Sequence, residues 1–146
     1  MSTPSDAELN KHLIRTYTKV VFNERQTGRA AEFLGPDVTW HGSTGPTVKG
    51  RDNVSALIRE VVGALNGLTA TEQYMIAEDD TIAVRYLIEA TGSGELFGIP
   101  ATGRRIRWEP TSLYRLAGGK IVNAVTFDDL AWVLHDVGGP PRSARA

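Results

Sequence analysis

The chain has 146 residues, 41% of them apolar and 23% charged, with a net charge of −1 and no cysteine. That length suits one domain, able to bury roughly 70% of the surface its unfolded form exposes. The near-neutral charge argues against nucleic acid or an anionic membrane as partner, and the missing thiols exclude disulfides, thiolate catalysis and cysteine-ligated metals.

Ser5, Asp6, Ala7 and Glu8 form a capping box, so a helix is expected over residues 5–24, carried by Leu9, Leu13, Ile14, Tyr17, Val20 and Val21 at helical spacing and stopped near Gly28. Residues 29–34 read as a second, short helix closed by Gly35 and Pro36. A strand over 37–41 then runs into a loop rich in glycine, serine and proline at 42–50. Asp52 is placed to cap a helix over 52–66, whose stripe is Val54, Leu57, Ile58, Val61, Val62 and Leu65.

After Gly67 the apolar period shortens to two. Residues 69–77, 81–92, 104–116 and 120–127 are strand-like, and Asp79-Asp80 and Gly118-Gly119 mark two of the turns between them. An amphipathic segment at 130–138 precedes a tail at 139–146 rich in Pro, Ser and Arg, expected to be disordered. No repeat or linker divides residues 1–146, which read as a single domain with an ordered core over about 5–138. Helices followed by a run of strands is the order of an α+β domain with helices on one face of a sheet. Strands that are apolar on both faces, such as 121–127, suggest a covered outer face, and a two-fold homodimer is the simplest cover. No run approaches the roughly 20 apolar residues of a membrane span, and no basic start leads into an apolar core, so a cytoplasmic location is expected.

Between the strands expected over 81–92 and 104–116 lies "GELFGIPATGRR", residues 94–105. With "GPDVTWHG" near the first strand, "VRYLIEATG" before the loop and "GGKIVN" in the last hairpin, it resembles the SnoaL-like polyketide cyclase family. The resemblance implies a cone-shaped, nuclear transport factor 2-like α+β fold: a curved antiparallel sheet with helices packed on its concave face, enclosing an apolar pocket, and often a homodimer. Under it Phe97 and Ile99 line or lid the pocket, or else plug a core or dimer contact. It also implies an aspartate on the last strand as general acid and base. Counted from the Gly-Lys-Ile turn, that position is Thr126, whose hydroxyl has no pKa suited to taking a proton from carbon. Asp128 and Asp129 are the neighbouring carboxylates: Asp128 is the acid/base candidate, while Asp129 also reads as the cap of the terminal helix.

Side chains two apart on a strand share a face. Ile106, Trp108, Ser112 and Tyr114 should therefore face the pocket, with Arg105, Arg107, Glu109 and Arg115 outside and Arg104 joining this basic surface. On the last strand the two criteria disagree. The resemblance puts Thr126 inward with Val122, Ala124 and Asp128, whereas apolarity favours Ile121, Asn123, Val125 and Phe127. His41 is placed near the pocket wall as a proton shuttle or as a hydrogen-bonded strand-end histidine. Tyr17, Trp40, Tyr74, Tyr86 and Trp108 supply aromatic surface to bind a hydrophobic small molecule. His12 and His135 lie on different helices, and neither metal nor cofactor is expected.

The resulting expectation is a cofactor-independent cyclase or isomerase that closes a ring in a polyketide-type or terpenoid natural-product intermediate, working mainly by folding the substrate. The alternatives are an epoxide hydrolase-like or hydroxylating enzyme of the same fold, which would need an arginine flanked by two aspartates, and a non-catalytic small-molecule-binding dimer.

Overall fold

A computed structural model of the chain describes residues 6–42, 46–92, 95 and 103–128. The first apolar stripe folds as helix α1 (Asp6–Tyr17), which continues into a π-helical segment, Thr18–Asn23. Ile14, Tyr17, Thr18 and Val21, spaced three and four apart, are all buried, as the stripe requires. Ser5, half of the expected capping box, lies outside the described residues. Gly28 does not stop this helix: the chain turns earlier, at Arg25, whose φ is 58°. Arg25 is held there because its guanidinium donates to the carbonyls of Val62 and Leu65, 2.9 Å each, closing the end of the next helix. The short second helix is a 3-10 helix, Thr27–Phe33, and Leu34 already belongs to strand β1 (Leu34–His41).

Within the expected 42–50 loop a two-residue strand β2 (Val48–Lys49) pairs with Thr39 and Trp40. Gly50, not Asp52, occupies the N-cap of α2 (Arg51–Ala64). Its φ of 91° is a backbone conformation that favours glycine, and its amide donates to the Val38 carbonyl at 2.8 Å. Asp52 sits inside the first turn, where its charge still suits the positive end of the helix dipole.

Strands β3 (Leu65–Glu78), β4 (Thr81–Gly92), β5 (Arg105–Trp108), β6 (Thr111–Ala117) and β7 (Lys120–Phe127) complete one sheet of order β2-β1-β7-β6-β4-β3, with β5 also paired to β4. Residues 104–116 are thus two strands, not one. Both lie along β4, and the break falls at Pro110, which has no amide to give the ladder but whose carbonyl accepts the Tyr86 amide at 3.0 Å. Nor is the sheet wholly antiparallel, because β1 runs parallel to β7. Everything between them in sequence serves as the long crossover such a pair needs.

Of the sheet's register shifts, one in β3 and one in β7 settle the inward face at the positions in doubt. In β3, Glu72 opposes Tyr86 but Tyr74 opposes Arg85, so Gln73 is an extra residue. Ala70 and Met75 therefore pack against the core while Tyr74 and Ile76 are each 68% exposed. In β7, Leu116 opposes Ile121 but Arg115 opposes Asn123, making Val122 the extra residue. Ile121 and Ala124 are both buried in consequence. This resolves the disagreement on the last strand: Ala124 and Thr126 turn inward with Ile121, and Val122 belongs to neither alternating set.

The core runs from Ile14 and Val21 on the helical side to Leu34, Ile82 and Ile121 on the sheet, all at most 2% exposed. Burial of each of these side chains is worth about 2 kcal/mol. The helices are fastened to the edge strand β3 by Asn23, whose side-chain amide donates to the Ala70 carbonyl at 3.0 Å and accepts its amide at 2.7 Å. Among the described residues no helix is long and apolar enough to cross a membrane.

Candidate active site

A partly open cavity of about 120 Å³ lies between the helices and the inner face of the sheet. An apolar cavity near 150 Å³ holds one benzene ring, so this one encloses roughly a single ring of a ligand. Phe22 beyond α1, Leu57, Ile58 and Val61 of α2, and Ile88 of β4 give it hydrocarbon walls. A larger, open groove of about 950 Å³ runs past Asp6, Asn10, Asp79 and Asp80, but it holds none of the buried polar groups described next.

Among the described residues six hydroxyl side chains line the cavity: Tyr17, Thr18, Tyr86, Ser112, Tyr114 and Thr126. Two come from the α1–π junction, where consecutive residues both turn inward, and four from facing positions of β4, β6 and β7. Thr18 Oγ1 and Tyr86 Oη are 2.7 Å apart in a buried hydrogen bond. Ser112 Oγ and Thr126 Oγ1, cross-strand neighbours, are 3.1 Å apart. The Tyr114 phenol is near enough to Ser112 and Tyr86 for both to lower its pKa against the larger rise from burial. Burial drives the phenols of Tyr17, Tyr86 and Tyr114 above their ordinary range, and for Tyr17 and Tyr86 the neighbouring Tyr114 adds to the rise. All three are neutral donors at physiological pH, not proton acceptors.

Asp128 is the one charged side chain among the described residues lining the cavity. It shares the wall with Thr126, two positions earlier on the same face. Trp40 and Trp108 also line the cavity, together with Gly42 and Pro110. A Cβ built on Gly42 would come within 2.5 Å of the Trp40 ring, so the glycine is what lets that indole lie against the backbone.

The structure thus brings together Tyr17, Trp40, Tyr86, Trp108, Ser112, Tyr114, Thr126 and Asp128. It does not bring Tyr74, which the bulge at Gln73 turns to the outer face. Nor does it bring His41: Trp40 opposes the buried Ala124, so alternation sends His41 outward, where its Nδ1 pairs with the Thr47 hydroxyl. Phe97, Ile99 and Asp129 lie outside the described residues. Sequence reading missed Thr18, Gly42 and Pro110. Thr18 was within reach of it, being four residues from Ile14 on the same stripe. Among the described residues no three His, Asp or Glu side chains gather as a metal site.

With this geometry in hand, comparison with known proteins gives a consistent family. The SnoaL-like polyketide cyclase model matches residues 11–137. Among solved structures, a candidate SnoaL-like polyketide cyclase from Jannaschia sp. CCS1 superposes with a TM-score of 0.85 at 17% identity, over 97% of this chain and 100% of that one. AclR, a candidate hydroxylase from Streptomyces galilaeus, gives 0.79 at 22% identity, over 93% and 100%. An LEH-like epoxide hydrolase from M. tuberculosis gives 0.73 at 11% identity, over 93% and 89%. No curated protein matches in sequence.

Proposed function

Because the chain belongs to the SnoaL-like polyketide cyclase family, we propose that it is a cofactor-independent cyclase or isomerase closing a ring in a polyketide-type or terpenoid intermediate. The observation that carries this reading is the composition of the cavity, in which, among the described residues, hydrocarbon walls face a row of neutral hydroxyls and a single carboxylate. Such a lining folds an apolar chain and holds its oxygens, and orientation of this kind supplies much of the barrier reduction in an intramolecular reaction. Asp128 is the group able to move a proton, and the phenols steady developing charge by donating hydrogen bonds. The hydrolytic alternative is less well supported, since no arginine and only one carboxylate line the cavity among the described residues.

Mass spectrometry of a metabolite extract from the producing cell, incubated with the protein, separates the readings. An isomerising closure changes retention at constant mass, and an aldol closure with dehydration loses one water. Epoxide hydrolysis gains one water. A binder returns its ligand unchanged, and that outcome would overturn the enzymatic reading.

We further propose that a second copy of the chain covers the outer sheet face. Register aligns Ile76, Ala83, Leu113 and Val125 in one row across β3, β4, β6 and β7, beside a second row holding Tyr74 and Phe127. Ile76, Tyr74, Leu113 and Phe127 are all exposed. A continuous apolar row across four strands is the kind of patch that a two-fold contact buries.

A further inference from the structure

Among the described residues four of the six hydroxyls lining the cavity pair directly, Thr18 with Tyr86 and Ser112 with Thr126, and the Tyr114 phenol is near enough to Ser112 and Tyr86 to feel both. Tyr17 stands apart. Its residue is only 5% exposed, and its ring is clasped by Phe22, Phe33 and Tyr114 at centroid distances of 5.5, 5.6 and 6.1 Å. Among the described residues its hydroxyl has no hydrogen-bond partner. Yet the oxygen is not sealed in, because the one fully occluded and unpartnered side-chain oxygen or nitrogen among these residues is the Ser55 hydroxyl. For a residue this buried that lines the cavity, the open space the oxygen touches is the cavity itself.

Trp108 repeats the pattern: 5% exposed, lining the cavity, its indole N–H without a partner among the described residues. An indole N–H only donates. Both groups can donate, and a buried donor left unpaired costs stability that a ligand acceptor would restore.

We propose that the Tyr17 hydroxyl is a catalytic residue that donates a hydrogen bond to an acceptor oxygen of the substrate, a ketone, enone or epoxide oxygen on which negative charge builds as the ring closes. This rests on the cyclase reading of the same cavity. For a ketone the step balances as follows. A proton leaves the nucleophilic carbon or oxygen for the Asp128 carboxylate, and the nucleophile bonds to the carbonyl carbon. The C=O π pair moves onto the oxygen held by Tyr17, and Asp128 then returns its proton to that oxygen, so the formula is unchanged. Tyr17 gives up no proton. Burial keeps its phenol neutral, which is the state a donor requires.

The cavity volume sets the probes: acetophenone and ethylbenzene, one ring each, alike in shape and differing by a carbonyl in place of a methylene. Affinities of both are measured for the wild type and for Tyr17→Phe, which removes one oxygen atom. The ratio of ketone to hydrocarbon affinity should fall roughly three- to tenfold in the variant, the worth of one hydrogen bond. Ethylbenzene affinity should stay unchanged, and the infrared carbonyl stretch of bound acetophenone should move up toward its value in alkane. An unchanged ratio with an unchanged stretch overturns the inference while leaving the cyclase reading intact. If Tyr17→Phe does not fold, Trp108→Phe decides in its place, since a bound carbonyl stretching as in alkane overturns the inference and one still shifted below it supports it. Failure of both probes to bind the wild type overturns the cavity as a ligand site, and the cyclase reading falls with it.

Discussion

The hydroxyls of Thr18 and Tyr86, 68 residues apart in sequence, meet at 2.7 Å inside the cavity wall and join the helical layer to β4. Removing one partner orphans the other in a buried place. Tyr86→Phe is expected to cost about 1–2 kcal/mol. Thr18→Val should cost a similar amount, and the double variant less than the sum. Urea denaturation of the three variants tests this, and strict additivity would show that the contact carries no stability. Tyr17→Phe should behave differently, leaving stability unchanged or slightly raised, because its oxygen gives up no partner.

Asp128→Asn should keep the fold and lower turnover roughly 10²-fold, the usual worth of a positioned acid or base. Turnover of the converted metabolite, with circular dichroism as the fold control, is the measurement. Full activity in this variant would leave closure by shape and hydrogen bonding alone.

Alkaline pH should unfold the protein steeply. Tyr17, Tyr86 and Tyr114 have their pKa raised by burial, so the folded state keeps protons that the unfolded state releases above about pH 10. The stabilisation is complete below that pH and is lost as pH rises beyond it. Each phenol contributes a slope of about −1.4 kcal/mol per pH unit while it stays protonated in the fold, so the three together give about −4 kcal/mol per unit. Ultraviolet tyrosinate absorbance should rise in one cooperative step with loss of structure. A gradual rise with the fold intact would contradict the burial of these rings.

Gly42→Ala should disturb the site without disturbing the core. The new Cβ would meet the Trp40 indole at 2.5 Å, and a ring on the cavity wall can swing away at less cost than backbone can shift. The expected result is a changed tryptophan fluorescence and an affinity for small aromatic ligands lowered about tenfold or more, with a melting temperature within a few degrees of wild type. Unaltered ligand affinity would mean that Trp40 does not shape the pocket.

Sedimentation should find a dimer at micromolar concentration, and Leu113→Arg should convert it to a monomer. Leu113 sits mid-row on the outer face, opposite both Ala83 and Val125, so a charge there is desolvated if the face is covered. A monomeric wild type would leave that face open to solvent.

Much of this fold was legible in the chain. Strands 81–92 and 120–127 and the stripes of both long helices follow from periodicity, since each repeats its pattern over many residues. What periodicity could not supply is the phase. Tyr74 was misplaced and the last strand ambiguous because a bulge changes the inward face partway along a strand, and no single residue type announces it. His41 was misplaced for the opposite reason: alternation holds on β1, and Trp40, its immediate neighbour, takes the inward place. Tyr17 and Tyr86 were legible as aromatic surface, but that one hydroxyl is spent and the other free depends on Thr18, a contact made only when the helix docks on β4.

The bulge at Gln73 also means that the inner face of the edge strand is fixed by counting as much as by composition. Deleting that one residue would remove the bulge and leave the faces as they are, with Met75 and Ala77 toward the helices and Tyr74 and Ile76 outward. Keeping it in a regular ladder would instead exchange the two faces beyond it, bringing Tyr74 and Ile76 toward the helices and sending Met75 and Ala77 out. For this architecture, then, the gain or loss of one bulge changes which side chains an edge strand gives to the core with no change of composition.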